Sequence, residues 1–203
     1  MNKMKAKKLD PIRFTDLAGT LKKIPRTGWL HHGLINVESI AEHSFRTTIL
    51  AYMLAEDLGC DSSRLIKMAL IHDLSETLTG DIVAEHGKCV DIDHRKDKLK
   101  KEALALKELS AITPMGDEMY SIWMEYACQK TKEAMLLKQI DKLEMAMQAL
   151  EYENPKNPNH LKEFWENCKL HINHPLLLGM FKKLCEKRTP PFNSYELIGT
   201  RII

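Results

Sequence analysis

The sequence predicts an all-α protein, a compact bundle of helices rather than a coiled coil. Apolar residues recur at helical spacing in one segment after another, and residues that begin or end helices flank those segments. No segment shows the alternation of apolar and polar residues that is typical of a strand. The length of 203 residues, with 44% hydrophobic and 29% charged residues, fits one globular domain.

The first predicted helix covers 10–24. Asp10 is placed to cap its N-terminus, and Pro11 stands at its first helical position, where the missing N–H costs nothing. The next segment, 26–38, contains two glycines and no clean period, so we expect a loop there.

The second predicted helix covers 39–59. Ser39 and Glu42 have the spacing of a capping box, and Gly59 is a suitable C-terminal stop. Six apolar residues of this helix are expected to pack: Ile40, Phe45, Ile49, Leu50, Leu54 and Leu58.

The third predicted helix begins after Asp61, its N-cap, and continues to Gly80. We expect a loop over 82–92. A helix with a strongly charged face follows over 93–112, and we interpret its run 94–102 as solvated.

The remaining chain alternates predicted helices with short connections. A single domain is expected over 1–203, with its core at about 14–187. The tail reads as irregular and is expected to lie on the surface or on a partner. The predicted segments are helices 114–130 and 131–153, a turn at 154–159, helices 160–172 and 175–187, and the tail 188–203.

Charge and cysteine content narrow the class of protein. With 30 basic and 28 acidic residues the net charge is +2, so we expect neither a nucleic-acid polymer nor a membrane as partner. The basic N-terminus is followed by no apolar region, which predicts no signal peptide, and no run is long enough for a membrane span. Five cysteines, an odd number without Cys-x-x-Cys spacing, indicate reduced thiols and a cytoplasmic protein.

His72 and Asp73 stand side by side in a segment whose apolar positions predict a packed helix, "MALIHDLSETLTGDIVAEH". Adjacent residues on a helix point about 100° apart, but both can reach one ion that sits off the helix between them. Imidazole nitrogen and carboxylate oxygen are both ligands of divalent first-row metals. Glu76 shares their face one turn further along, near enough to act on a water at that ion. The alternative is a hydrogen-bonded His-Asp pair on the surface.

Two further residues have the same chemistry on other helices. His43 lies among apolar residues early in the second helix, where the alternative is a satisfied core histidine. Asp141 interrupts an apolar stripe, and a carboxylate there needs a partner. The alternative for Asp141 is an ion pair with Lys138 or Lys142.

One hypothesis accounts for all four residues. His43, His72, Asp73 and Asp141 would come from three helices to form one mixed nitrogen and oxygen site. Two neutral imidazoles and two carboxylates carry a net charge of −2, which matches one divalent cation with open positions for water and substrate. Such a donor set suits Mn, Co, Fe, Ni or Zn better than Ca, and Mg is kept as a further candidate for the divalent cation.

The order H…HD…D resembles the HD-domain metal-dependent phosphohydrolases. Within that superfamily the chain is similar to the 5′-deoxynucleotidases over about 14–185. No single motif carries the resemblance, but five occur in the right order: "LKKIPRTGW", "ESIAEHSFR", "ALIHDLSETLTGDI", "KQIDKLEMAMQALEYE" and "INHP".

The resemblance implies an all-helical HD-domain bundle, usually a homodimer. It implies hydrolysis of deoxyribonucleoside 5′-monophosphates to nucleoside and phosphate, with a divalent metal as cofactor. The family's metal ligands fall on the four residues of the hypothesis above. Two other members of the superfamily remain as alternatives: a phosphohydrolase of triphosphates, cyclic or polyphosphorylated nucleotides, and a non-catalytic module that binds nucleotides.

The resemblance also implies roles around the metal. Glu76 would orient the attacking water or relay its proton. Asp81 would bind a sugar hydroxyl, Trp29 would pack on the sugar, and Arg26 would contact the phosphate. Some members have Arg directly before the Trp, where this chain has Gly28. The alternatives are a core aromatic for Trp29 and a solvated charge for Arg26.

Overall fold

The structure, a computed structural model, describes residues 9–83, 85–86, 89–90, 92–154, 156–157 and 159–188. Apart from Arg188, the predicted tail lies outside the described residues. The all-α prediction is confirmed. In chain order the helices are α1 Pro11–Gly19, α2 Thr27–His31, α3 Ile40–Leu54, α4 Ser62–Ile71, α5 Glu76–Thr79, α6 Ile92–Ser110, α7 Gly116–Cys128, α8 Lys132–Tyr152, α9 Lys162–His171 and α10 Pro175–Lys187, with a 3₁₀ turn at Thr20–Lys23.

Helix α8 lies at the centre of the bundle, in contact with α3, α4, α7, α9 and α10. Its apolar side chains Leu137, Ile140 and Leu143 are fully buried, in one core with Trp165 and Phe181. A second, smaller core joins α6 and α7 to the 3₁₀ turn and the start of α3. No helix in the described ranges is long and apolar enough to cross a bilayer.

The predicted helix caps are confirmed at three N-termini. Asp10 accepts a hydrogen bond from the backbone N–H of Arg13, with Pro11 at the first helical position. Ser39 and Glu42 form a complete capping box at the start of α3. Asp61 caps α4 in the same way. These local bonds satisfy N–H groups that the helices themselves cannot pair.

Two segments predicted as loops contain short regular elements. Within 26–38 the structure has α2. The chain before α2 is bonded to the chain after it, because the N–H of Arg26 donates to the carbonyl of Glu38 at 3.0 Å. Within 82–92, β1 Glu85–His86 pairs antiparallel with β2 Cys89–Val90. Elements of two to five residues are too short to produce a sequence period.

The helix predicted to continue to Gly80 instead breaks at His72, the C-cap of α4. The next turn is tighter, because the N–H of Leu74 bonds the carbonyl of Ile71 at 3.1 Å, three residues back. Trp123 donates its indole N–H to the carbonyl of His72 at 3.2 Å. The chain resumes as α5 and leaves it at Gly80, whose φ of 71° favours glycine.

The packing predicted for α3 is correct for one face and wrong for another. Leu50, Leu54 and Leu58 are buried as predicted, as is Ile40. Phe45 and Ile49 are exposed, because the core lies on the opposite side of the helix. With Tyr52 and Met53 they form an exposed apolar row at helical spacing, here called the α3 stripe: Phe45, Ile49, Tyr52 and Met53.

Candidate active site

Three parts of the fold bring the predicted ligands together. His43 comes from α3, His72 and Asp73 from the break after α4, and Asp141 from α8. His43 Nε2 lies 3.2 Å from Asp141 Oδ1 and 3.6 Å from Asp73 Oδ2, and His72 Nε2 lies 3.2 Å from Asp73 Oδ2. These four side chains are here called the cation cluster.

Both imidazoles of the cation cluster are held by the nitrogen that faces away from it. His43 Nδ1 lies 2.5 Å from Glu144 Oε2, and His72 Nδ1 lies 2.6 Å from the carbonyl of Ala69. Both partners are acceptors, so Nδ1 carries the hydrogen in each neutral ring. The two Nε2 atoms are buried and have no hydrogen-bond partner among the described residues. The lone pairs of these two nitrogens are therefore available to bind a metal ion.

The electrostatics of the cluster also call for a cation. Burial and Arg26 lower the pKa of His43, but Glu144 and Asp141 outweigh them and raise it to about 10. Burial raises the pKa of Asp73, but the two histidines and Arg26 hold it far below its ordinary range. Without a metal, His43 therefore retains a proton among ionised carboxylates. A divalent cation would take the place of that proton, so the residues fit the metal implied by the donor set.

The alternative partner for Asp141 is also present. Lys138 Nζ lies 3.9 Å from Asp141 Oδ2, while the other oxygen, Oδ1, faces His43. Burial raises the pKa of Asp141, but His43 and the nearby lysines hold it well below its ordinary range. The ion pair thus binds one oxygen of Asp141 and leaves the other directed into the cluster.

A cavity of about 290 Å³ opens on the cation cluster and is lined by Arg26, Glu76, Asp81 and Trp29 among others. Arg26 Nη1 lies 3.4 Å from Asp73 Oδ2. Burial lowers the pKa of Arg26, but the surrounding carboxylates outweigh it and raise the pKa above its ordinary value. The guanidinium therefore stays charged at the cavity wall, which corrects the alternative of a solvated charge.

Glu76 is almost fully buried at the first position of α5. Burial and the neighbouring Asp73 raise the pKa of Glu76 well above its ordinary range, and Lys98 opposes them. Its Oε1 lies 3.4 Å from Lys98 Nζ, and its Oε2 is buried without a hydrogen-bond partner among the described residues. A carboxyl group in this setting is suited to take and return a proton.

Asp81 and Trp29 fix the cavity wall on the side of α2. Asp81 Oδ2 accepts the backbone N–H of Thr27 at 2.6 Å. Trp29 is 1% exposed, donates its indole N–H to Glu38 at 2.9 Å, and stacks on Phe164 with 4.1 Å between ring centroids. Trp29 is therefore a core aromatic that also reaches the cavity.

Comparison with known proteins identifies the family to which this chain belongs. Residues 18–177 match a family model described as an HD domain. The chain belongs to the HD-domain family.

Named relatives of this HD-domain protein cover most of its length. The protein named 5′-deoxynucleotidase HDDC2 from Xenopus laevis is 35% identical over 180 residues, 87% of each chain. The 5′-deoxynucleotidase hdd1 of Schizosaccharomyces pombe is 35% identical over 185 residues, 90% of this chain and 92% of that one. A conserved hypothetical protein from Pyrococcus furiosus has a similar solved structure, with a TM-score of 0.68, 34% identity, and coverage of 85% of this chain and 98% of that one.

Three side chains at the site of this HD-domain protein were missed from the sequence. Glu144 follows Asp141 by three residues in the same apolar stripe, and this spacing could have indicated that both carboxylates face the site. Lys98 and Glu102 lie in the run 94–102, which we interpreted as solvated. That interpretation is wrong for these two residues, because their side chains are only 24% and 14% exposed and pair with each other at the cavity.

Proposed function

We propose that this protein is a metal-dependent 5′-deoxynucleotidase that releases phosphate from deoxyribonucleoside 5′-monophosphates. One observation carries the proposal: two imidazoles and two carboxylates converge at a cavity that also holds a charged Arg26 and a buried Glu76. The HD-domain membership and the names of the relatives support the reaction and the substrate class.

His43, His72, Asp73 and Asp141 would hold the metal. When bound, a divalent cation supplies Lewis-acid activation of water and of a phosphate oxygen. We propose Mn, Co, Fe, Ni or Zn, because mixed imidazole and carboxylate donors suit these ions, with Mg as a candidate that the two carboxylates would favour.

The side chains of the cavity have distinct tasks in this proposal. Arg26 binds the phosphate dianion through its fixed charge. Glu76 takes a proton from the attacking water, whose oxygen bonds to phosphorus as the bond from phosphorus to the 5′ oxygen breaks. The 5′ oxygen leaves and takes up a proton from solvent water, and Glu76 returns its own proton to solvent, which gives nucleoside and inorganic phosphate.

The sugar would lie between α2 and the residues after α5. Asp81 Oδ2 is engaged by Thr27, so we assign Oδ1 to a sugar hydroxyl. Trp29, held by Glu38 and Phe164, gives the sugar a rigid wall. A wall at this position would leave little room for a 2′-hydroxyl, and the names of the relatives support a preference for deoxyribose.

We also propose a homodimer, with the α3 stripe as the contact face. The stripe is an exposed apolar row, and two copies related by a twofold axis would cover each other's stripe. Light scattering on wild type and Phe45→Glu would show a dimer that the variant shifts to monomer.

A cytoplasmic location is proposed from the free thiols Cys60, Cys128, Cys168 and Cys185.

The test is phosphate release from deoxyribo- and ribonucleoside 5′-monophosphates, with Mn, Co and Mg added in turn. Asp73→Ala serves as the inactive blank, since it removes a ligand. We expect release from the deoxy set that is lost in the blank. Release of pyrophosphate or triphosphate from larger nucleotides alone, or binding without turnover, would contradict the proposal.

A further inference from the structure

Lys98 reaches from α6 into the active-site cavity and meets Glu76. We propose that Lys98 is a positioning residue that holds Oε1 of Glu76 and so leaves Oε2 as the oxygen that faces the reacting water. This inference rests on the proposed function, because it assigns Lys98 a part in the same hydrolysis.

The contact is specific to one lysine of a lysine-rich helix. The Lys98 side chain is 24% exposed, and its Nζ lies 3.4 Å from Glu76 Oε1 and 3.3 Å from Glu102 Oε1. Lys100, two residues on, is 75% exposed and pairs with Asp97 on the outer face. The helical period turns position 98 inward together with position 102 and turns position 100 outward.

Nothing on α5 itself orients the Glu76 side chain. The helix has four residues and no side-chain cap, and Glu76 is its first residue. Within the part of the chain that the structure describes, Lys98 is the hydrogen-bond partner of the Glu76 carboxylate. The orientation of that carboxylate therefore depends on α6, across the segment 80–91.

The two oxygens of Glu76 are not equivalent as a result. Oε1 is occupied by the ammonium group, whereas Oε2 is buried and lacks a partner among the described residues. A buried carboxylate oxygen without a partner is costly unless something binds to it during function. The attacking water is the ligand that the proposed reaction brings to that position.

Glu102 holds Lys98 in turn. It is four residues further along α6, and its side chain is 14% exposed. Lys98 thus bridges the buried carboxylate of Glu76 and the half-buried carboxylate of Glu102, an arrangement that fixes a flexible side chain more firmly than a single pair. The alternative is that Lys98 only neutralises buried charge, in which case its loss would lower stability without changing turnover.

The test compares wild type, Lys98→Met, Lys98→Arg and, as matched control, Lys100→Met. Turnover of a deoxyribonucleoside monophosphate is measured with Mn at a temperature where all variants are folded. We expect Lys98→Met to lower kcat by about 30-fold with KM changed less than about threefold, as expected for a misplaced general base. Lys98→Arg should recover at least about a third of the activity, and Lys100→Met should match wild type.

A double variant separates positioning from other effects. If Lys98 acts through Glu76, adding Lys98→Met to Glu76→Gln should lower kcat no further than about twofold. Metal affinity by titration calorimetry should change far less than kcat in Lys98→Met, because the ion pairs of Lys98 are with Glu76 and Glu102 and it acts on Asp73 through charge alone. Independent losses in the double variant, unchanged kcat in Lys98→Met, or a large rise in KM alone would overturn the inference.

Crystal structures of wild type and Lys98→Met give a readout that does not depend on turnover. We expect the Glu76 carboxylate to rotate away from its wild-type orientation in the variant. An unmoved carboxylate would contradict the inference even where kcat falls. If wild type hydrolyses no monophosphate, the proposed function fails, and the crystallographic comparison still decides the role of Lys98.

Discussion

At the scale of single residues, each imidazole of the cation cluster is fixed by a bond on its outer side. For His43 the bond goes to Glu144, which is fully buried and also accepts a hydrogen bond from Arg46 Nε at 2.7 Å. Burial raises the pKa of Glu144, but His43 and Arg46 more than offset this and lower it below its ordinary value. The carboxylate is thereby kept ionised as an acceptor for the ring that faces the cluster.

Glu144→Gln should weaken metal binding by about 10-fold to 100-fold, because it removes the charge that holds His43 while keeping the shape of the side chain. The measurement is titration calorimetry with Mn on protein first treated with EDTA. Glu151→Gln is the matched control, since Glu151 is also bonded to Arg46, at 2.5 Å, but lies on the surface away from His43. Equal affinities for the two variants would contradict the role given to Glu144.

The thiols should differ sharply in reactivity. Burial raises the pKa of Cys185 to about 11 and that of Cys168 further, whereas Cys128 is exposed. In a Cys89→Ser background, a disulfide reagent at mildly alkaline pH should label Cys128 at once and the two buried thiols only after unfolding. Mass spectrometry of the labelled peptides checks this. Rapid labelling of Cys168 in the folded protein would be the contrary result.

At the scale of elements, the departures from prediction have a common physical cause. Long helices were predicted from period and caps, and Asp10, Ser39 and Asp61 cap as expected. The break at His72 was not predicted, because the apolar period continues through it. The hydrogen bond that the carbonyl of His72 accepts at the break comes from Trp123, on a helix distant in sequence. Tertiary bonds of this kind leave no signal in a local sequence window.

The junction of α6 and α7 provides a pair of glycine variants with opposite expected signs. A Cβ at Gly116 would lie 1.9 Å from the backbone oxygen of Ser110, so Gly116→Ala should lower the free energy of unfolding by at least about 2 kcal/mol. At Gly179, inside α10, a Cβ meets nothing within 4 Å, and alanine there should add about 0.5–1 kcal/mol. Urea denaturation of both variants measures the change in the free energy of unfolding. A change of the same sign in both variants would contradict this account.

At the scale of the whole molecule, the cation cluster joins parts of the chain that lie far apart in sequence. A metal there would bridge α3, the end of α4 and the middle of α8, the central helix. An ion bound to the folded state alone stabilises that state by RT ln(1 + L/Kd), where L is the free ion concentration, and so by more the tighter it binds. Metal binding and global stability should therefore be linked.

This linkage should depend on pH. In EDTA-treated protein the folded pKa of His43, about 10, lies above its ordinary value of about 6.5. The stability that protonated His43 contributes is thus complete below about pH 6.5 and is lost as pH rises toward 10. Metal competes with that proton, so the gain in Tm on adding Mn should grow between about pH 6.5 and about pH 8.5. Scanning calorimetry measures this gain in Tm. The variant His43→Ala lacks the competing proton and should show no such growth, and a gain that shrinks with pH in wild type would contradict the assignment.

The sequence was sufficient for the class of fold, the capped helices and the four residues that meet in the cation cluster. Residue type and spacing carry those features, since imidazoles and carboxylates on apolar faces are rare enough to be noticed. Glu144 and Lys98 needed the structure, because their roles depend on how α8 and α6 are rotated in the bundle. The burial of Trp29 depends likewise on Phe164, which arrives from α9.

The break at His72 limits how this site can be transplanted. On an uninterrupted helix, adjacent side chains diverge by about 100°, and the contact of 3.2 Å between His72 Nε2 and Asp73 Oδ2 is formed where the helix has already ended. A His-Asp pair placed on a regular helix would therefore have the same residue types but would not form this contact. The portable unit is the helix end together with its tight turn and the tryptophan that secures it.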